Sequence, residues 1–333
     1  KLGGIIIESN TALEGNFILL GKTNNSKELQ FNNTKINIDE ALQYWTGTFE
    51  NLFPTSTKTI ESSIPNINIA SKKIKNIGFG KPNIFLPLFP GTNCEFETTD
   101  AFIKESGNVK SLIFKNYSNK SVADSINAFA RQIKESQILV FSGGFSAGDE
   151  PDGSAKYMIN VLKNKNIQNN VHEFINKGGL ILGICNGFQI LCESGLLPGV
   201  LLENVGRRFL SRFVNIRVES TASFFTSGMT AGDVVTCPIA HFQGNYFAEP
   251  AVLDELEKRG QVVFRYCDAD GNVRPNDREV NVNGSCRAIA GISSRAGNVV
   301  GLMPHPERAV ESLIGYVGGA TGLEPFRPAA ANS

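Results

Sequence analysis

Residues 179–190 (GLILGICNGFQI) constrain the fold more than any other stretch of the chain. An apolar run between glycines is the pattern of a short strand buried on both faces. The stretch reads as strand, turn and helix, with Cys185 at the bend. Gly183 and Gly187 flank that cysteine two residues away on either side. Small neighbours at this spacing permit the sharp turn of a nucleophile elbow, which lifts the side chain off the sheet edge. A thiol at a helix N-terminus also feels the positive end of the helix dipole, which favours thiolate. The same residues would equally suit a buried, inert cysteine beside a glycine-rich turn.

From Pro82 onward the surrounding sequence alternates accordingly. Strands are expected over 83–88, 110–114 and 137–141. The turn Phe89-Pro90-Gly91-Thr92-Asn93-Cys94 leads into a helix over 95–105. Ser121 is expected to cap a helix that sets Val122, Ile126, Phe129 and Ile133 on one face. A helical stretch over 155–175 precedes the elbow. Strands and helices in alternation imply an α/β fold, a doubly wound and mostly parallel sheet flanked by helices. Sites in such sheets lie at the carboxyl ends of the strands. The Cys94 turn, the Gly143-Gly144 loop and Cys185 all fall on that edge. Residues 205–300 are richer in β signals, at 213–218, 234–237 and 262–266, and a last strand spans 299–303.

The first 80 residues read differently. Short strands are expected at 4–7 and 17–20, and a helix capped by Asp39 carries Ala41, Leu42, Trp45 and Phe49 at helical spacing. This makes a small α+β segment with a thin core, expected to lean on something else. The expected organisation is an N-terminal segment over 1–53, a linker rich in Ser, Thr, Lys, Asn and Pro over 54–81, a main domain over 82–320 and a tail over 321–333.

Composition narrows the partners. The 333 residues are 41% hydrophobic and carry zero formal net charge, which argues against nucleic acid or an anionic membrane as the main partner. The six cysteines (Cys94, Cys185, Cys192, Cys237, Cys267 and Cys286) form no C-x-x-C pair, and there are three histidines, so no metal site is expected. Scattered thiols suit a reducing, cytoplasmic compartment. No apolar run reaches the length of a membrane span and no signal peptide is present. The chain opens on Lys1 rather than Met, as a piece of a longer polypeptide would. Arg131 is the sole arginine before residue 200 and Lys258 the sole lysine after it. The proposed machinery straddles that line, so it is not read as a domain boundary.

A cysteine nucleophile needs a base, and the base needs a group to orient it. His172 falls in a polar helical stretch, expected at the surface. His241, in Ala240-His241-Phe242-Gln243-Gly244, has no carboxylate nearby in sequence. His305 follows a strand, lies between Pro304 and Pro306, and has Glu307 two residues on. A triad of Cys185, His305 and Glu307 follows. The loop Gly143-Gly144-Phe145 can aim backbone N–H groups at one point and, with the amide of Asn186, form an oxyanion hole. A phosphate-binding loop is the weaker reading, because neither glycine-rich phosphate signature is present. Cys94 lacks the glycine setting of Cys185 and is expected to be structural. Cys192, two helical turns past the elbow, is expected in the core.

Three motifs together resemble the class I, triad-type glutamine amidotransferases: Gly183-Ile184-Cys185-Asn186-Gly187-Phe188-Gln189, Gly143-Gly144-Phe145-Ser146 and Pro304-His305-Pro306-Glu307-Arg308. Phe89-Pro90-Gly91-Thr92-Asn93-Cys94 and Asn245-Tyr246-Phe247 narrow the resemblance to the glutaminase part of phosphoribosylformylglycinamidine synthases, over residues 82–320. Residues 1–80 look similar to the end of the synthetase portion in single-chain members. The resemblance implies a flavodoxin-like sheet and glutamine held near Gly143, Gly144, Phe145, Asn186 and Gln189. It implies a γ-glutamyl thioester on Cys185, and ammonia passed to a synthetase domain or subunit that uses ATP and magnesium. No cofactor is expected in this chain itself. The family's usual His-Gly-Glu-Gly is here His241-Phe242-Gln243-Gly244. Two other readings are a different triad hydrolase, such as a γ-glutamyl peptidase, and a non-catalytic docking module of a synthetase.

Overall fold

The computed structural model describes residues 4–57, 63–65, 80–145, 155–311 and 326. The chain divides into two compact units, 1–55 and 56–333. Much of the expected linker, the segment 146–154 after the glycine loop, and the tail apart from Phe326 lie outside the described residues.

In the first unit, strands β1 (Glu28–Phe31) and β2 (Thr34–Asn37) form an antiparallel hairpin that runs into helix α1 (Ile38–Gly47). Asn32, at φ 54°, makes the turn, a left-handed position that Asn tolerates. Asn37, not Asp39, caps α1: its side chain accepts the Glu40 amide at 3.1 Å. The strands expected at 4–7 and 17–20 are exposed coil instead. An apolar run becomes a strand only when another segment completes its hydrogen-bond ladder, and among the described residues the ladder here pairs β1 with β2 alone. Helix α1 buries none of its residues, and no side chain of this unit is buried among the described residues.

The second unit is built on a nine-stranded sheet. Its first half holds β3 (Asn83–Leu88), β4 (Asn108–Ile113), β5 (Ile138–Phe141) and β6 (Leu180–Ile184). Between them run α2 (Glu95–Lys104), α3 (Asn119–Glu135), α4 (Lys156–Leu162) and α5 (Lys165–Asn176). Helix α6 (Asn186–Glu193) and strand β7 (Val200–Leu202) follow. The remainder comprises β8 (Leu210–Val218), β9 (Val234–His241), β10 (Asn245–Phe247), α7 (Pro250–Lys258), β11 (Val262–Cys267), β12 (Ile289–Ser293) and β13 (Val299–Leu302). The sheet order is β4-β3-β5-β6-β13-β12-β11-β8-β9. Pairing is parallel from β4 to β13 and antiparallel from β13 to β9. Short β7 and β10 pair separately.

The parallel half is the expected wound core. Strands β5 and β6 are buried along their whole length, which is why they read as unbroken apolar runs. Local boundaries differ for physical reasons. Ser118 caps α3, and Ser121 completes the capping box three residues later. The single helix expected over 155–175 is two, because Asn164 turns its side chain to the Asn166 amide and starts α5 afresh. Helix α7, with Pro250 in its first turn and Leu253 and Leu256 buried, was not anticipated within the β-rich region. Its Glu257 joins Arg265 of β11, 1% exposed, and Glu219 binds the same guanidinium at 3.3 Å.

The antiparallel half curls back over the first. The amide of His305, just past β13, donates to the carbonyl of Pro238 in the edge strand β9 at 2.9 Å. The end of β13 thus lies against β9.

Candidate active site

Cys185 occupies the bend between β6 and α6 at φ 51°, ψ −104°. Non-glycine residues adopt such angles only where the surroundings impose them. Here its amide donates to Leu302 of β13 at 2.8 Å, and its carbonyl accepts the Phe188 and Gln189 amides. The flanking glycines are dictated by close approach. A Cβ on Gly187 would lie 1.9 Å from the Phe141 carbonyl oxygen, and one on Gly183 would lie 2.6 Å from that of Gly187. The elbow therefore packs backbone on backbone between β5, β6 and α6. The thiol projects from the carboxyl edge of the sheet and lies 3.7 Å from the Ala240 carbonyl of β9.

His305 and Glu307 reach the same edge from the end of β13, in a 3₁₀ turn over Pro306–Ala309. The imidazole Nδ1 donates to Glu307 Oε1 at 2.6 Å, and both residues are buried, at 2% and 0% exposure. The other ring nitrogen, Nε2, has no hydrogen-bond partner of ordinary geometry among the described residues. Burial alone would lower the basicity of this ring. The Glu307 carboxylate and then Cys185 outweigh it and hold the pKa well above that of an ordinary histidine. A strongly basic imidazole between a carboxylate and a thiol can take the thiol proton and later return it.

The glycine loop lies opposite. The Gly143 carbonyl accepts the amides of Cys94 and Asn93 at 3.3 and 3.5 Å, and the Phe145 amide donates to Gly91 at 2.7 Å. These bonds bracket the bridge between Thr92 and Gly144. They commit the Phe145 amide to the neighbouring turn and direct the Gly144 amide away from it, since the central residue of such a bridge faces its N–H outward. Gly143 backs onto the imidazole: a Cβ there would come within 2.6 Å of His305 Cε1. Asn186 opens α6, and its side chain donates to Gln189 Oε1 at 2.9 Å, so the sequence-nominated Asn186 and Gln189 are joined on the first turn.

Cys94 is closer to the chemistry than its sequence setting suggests. Its Sγ lies 3.9 Å from His305 Nδ1 and 3.3 Å from Asn93 Oδ1. Burial pushes its pKa up, only partly countered by His305, so it is a neutral thiol beside the imidazole. With His305 and Glu307 it forms a buried group whose ligand-type atoms lie within 4.8 Å of one another. The Nδ1–Glu307 hydrogen bond accounts for two of those atoms. Cys192 is buried in α6 and His172 is exposed on α5, as expected. His241 is a surprise: it is 2% exposed and stands one residue from the carbonyl that meets the Cys185 thiol. Only the curl of β9 brings it there, and no local sequence signal carries that information.

Residues 81–316 match the family described as the CobB/CobQ-like glutamine amidotransferase domain. The chain is 41% identical over 235 residues to the phosphoribosylformylglycinamidine synthase subunit PurQ of Chlorobaculum parvum, covering 70% of this chain and 84% of that one. It is 40% identical over 228 residues to the corresponding subunit of Aquifex aeolicus, covering 68% and 91%. Among solved structures it resembles PurLQS from Thermotoga maritima, with a TM-score of 0.56 and 32% identity over 75% of this chain and 97% of that one. The chain belongs to the class I glutamine amidotransferases, in the family of the glutaminase subunit of phosphoribosylformylglycinamidine synthase.

Proposed function

We propose that this protein hydrolyses glutamine through Cys185, His305 and Glu307 and delivers ammonia to a synthetase partner that converts formylglycinamide ribonucleotide to its amidine in purine biosynthesis. The observation that carries the reading is the meeting of three features on one sheet edge: the strained Cys185 elbow, the 2.6 Å His305–Glu307 pair and the glycine loop. In this reading His305 takes the thiol proton, the thiolate attacks the carboxamide carbon, and a tetrahedral oxyanion forms. Amides at Gly144 and Asn186 face the oxyanion. Gly143 and Phe145 shape the wall of the site, and Gln189 helps to hold glutamine. The imidazolium protonates the departing nitrogen, leaving a γ-glutamyl thioester. Water activated by the restored imidazole then releases glutamate, while Glu307 holds the ring in one tautomer throughout. ATP and magnesium belong to the partner's half of the reaction, and the assembly is expected in the cytoplasm.

The test is Cys185→Ala, assayed with and without the synthetase subunit. Glutaminase activity is expected to fall by about a thousandfold or more, while the assembled enzyme still uses added ammonia. Retained glutaminase activity in Cys185→Ala would refute the nucleophile assignment.

A further inference from the structure

The last residue of β9 carries a buried polar atom that the triad leaves unused. His241 Nε2 has no hydrogen-bond partner among the described residues, although the side chain is almost wholly enclosed. The other nitrogen is committed. Nδ1 lies 3.0 Å from Asn204 Oδ1, which also accepts the Gly244 amide at 3.2 Å. Asn204 Nδ2 donates to the carbonyls of His241 and Arg208, both at 2.9 Å, which fixes the orientation of that amide. An amide oxygen only accepts, so Nδ1 carries the ring proton and Nε2 presents a bare lone pair. The ring is also clamped in place: a Cβ on Gly244 would come within 2.1 Å of His241 Cε1. Gln189 ties the turn to α6 by donating to the Gln243 carbonyl at 2.8 Å, and the adjacent Ala240 carbonyl meets the Cys185 thiol.

Resting on the triad reading above, we propose that Nε2 of His241 accepts a hydrogen bond from the ammonia released at Cys185 and holds it beside the thioester until it passes to the partner. At that step the carboxamide C–N bond breaks, the nitrogen takes the proton of the His305 imidazolium, and ammonia leaves with three N–H donors and one lone pair. A carboxylate acceptor would favour ammonium, which has no lone pair to attack the next substrate. A neutral acceptor of low basicity holds ammonia without that penalty. His241 meets the requirement, because burial, and then the nearby His305, push its pKa down to about 3.

The experiment measures glutamate and amidine product together, in the assembled enzyme with its synthetase partner. His241→Asn keeps an amide near the Nδ1 position and loses the acceptor at Nε2, whereas His241→Gln places an amide near Nε2. His241→Asn is expected to form about two- to tenfold more glutamate per amidine, the range set by loss of one neutral hydrogen bond. Its KM for glutamine and its rate with added ammonia should be unchanged, and His241→Gln should recover coupling. A wild-type ratio in His241→Asn overturns the proposal, as does a rise in KM alone or equal uncoupling in both variants. Should neither variant fold, nitrogen-15 spectroscopy of the wild-type assembly decides. The His241 Nε2 resonance is expected at the position of an unprotonated imidazole nitrogen and should move when ammonia is added. A protonated or unresponsive Nε2 overturns the assignment. Glutaminase activity surviving in Cys185→Ala would sink the triad reading instead, and the two failures are distinct.

Discussion

At the scale of single residues, the two buried histidines titrate in opposite directions, and the difference can be tested. Burial would lower the pKa of His305, but Glu307 and then Cys185 outweigh it and raise it well above the ordinary value. His241 is pushed from 6.5 down to about 3, with burial as the main cause. As pH falls through 6.5 the unfolded chain protonates residue 241, while the folded chain does not until about pH 3. The unfolded state then binds the extra proton, so this histidine's contribution to stability is full above 6.5 and is lost as pH drops. His305 is present in both proteins, so its own contribution cancels from the comparison. We expect the stability of His241→Gln to decline less steeply between pH 6.5 and 4 than that of the wild type, by up to about 1.4 kcal/mol per pH unit. Denaturant melts across that range measure it, and equal slopes would show that residue 241 is charged in the fold. Cys185 and His305 were legible as a candidate nucleophile and base because each carries a local mark: glycines around the thiol, prolines and a carboxylate beside the imidazole. His241 and Cys94 have no such mark. Their places depend on which strand ends meet.

At the scale of elements, the β6–α6 elbow is the most tightly specified piece of the molecule. Its glycines exist because backbone meets backbone, and Gly187 has the least room of those around the site. Gly187→Ala would push a methyl group into the Phe141 carbonyl, and overpacking of that kind costs about 1–3 kcal/mol or more. The expected outcome is a lower melting temperature together with loss of glutaminase activity, since the same shift displaces Cys185. A variant with wild-type stability and activity would mean that α6 can move off β5, contrary to the packing described here. Helices and strands of the parallel half were readable because their apolar periodicity is strong and their burial two-sided. The misreadings lie where competing local chemistry decides the boundary, as at Ser118 and Asn164. The apolar runs at 4–7 and 17–20 were misread for a different reason: pairing, rather than hydrophobicity, makes a strand.

At the scale of the whole molecule, the chain separates into a unit that buries no side chain among its described residues and a unit that carries the nine-stranded sheet and the candidate site. Deleting residues 1–55 is therefore expected to leave the unfolding midpoint of the main unit within a few degrees, about 1 kcal/mol for a domain of this size. Calorimetry of the full and shortened chains checks this, and loss of a cooperative transition in the shortened chain would overturn it. Sequence by itself determined the alternating α/β core, the strand edge that carries the candidate site, the candidate nucleophile with its histidine–carboxylate pair, and the resemblance to the family. All of these are written in short-range patterns of apolar period, glycine spacing and proline placement. Tertiary structure alone decided the rest. It curled the antiparallel half so that β9 returns over Cys185, set Cys94 against His305, and buried His241 with one lone pair unsatisfied. The first two of these contacts join residues more than fifty positions apart. Their energies come from long-range closure and packing, which leave no trace in the local pattern of a single chain.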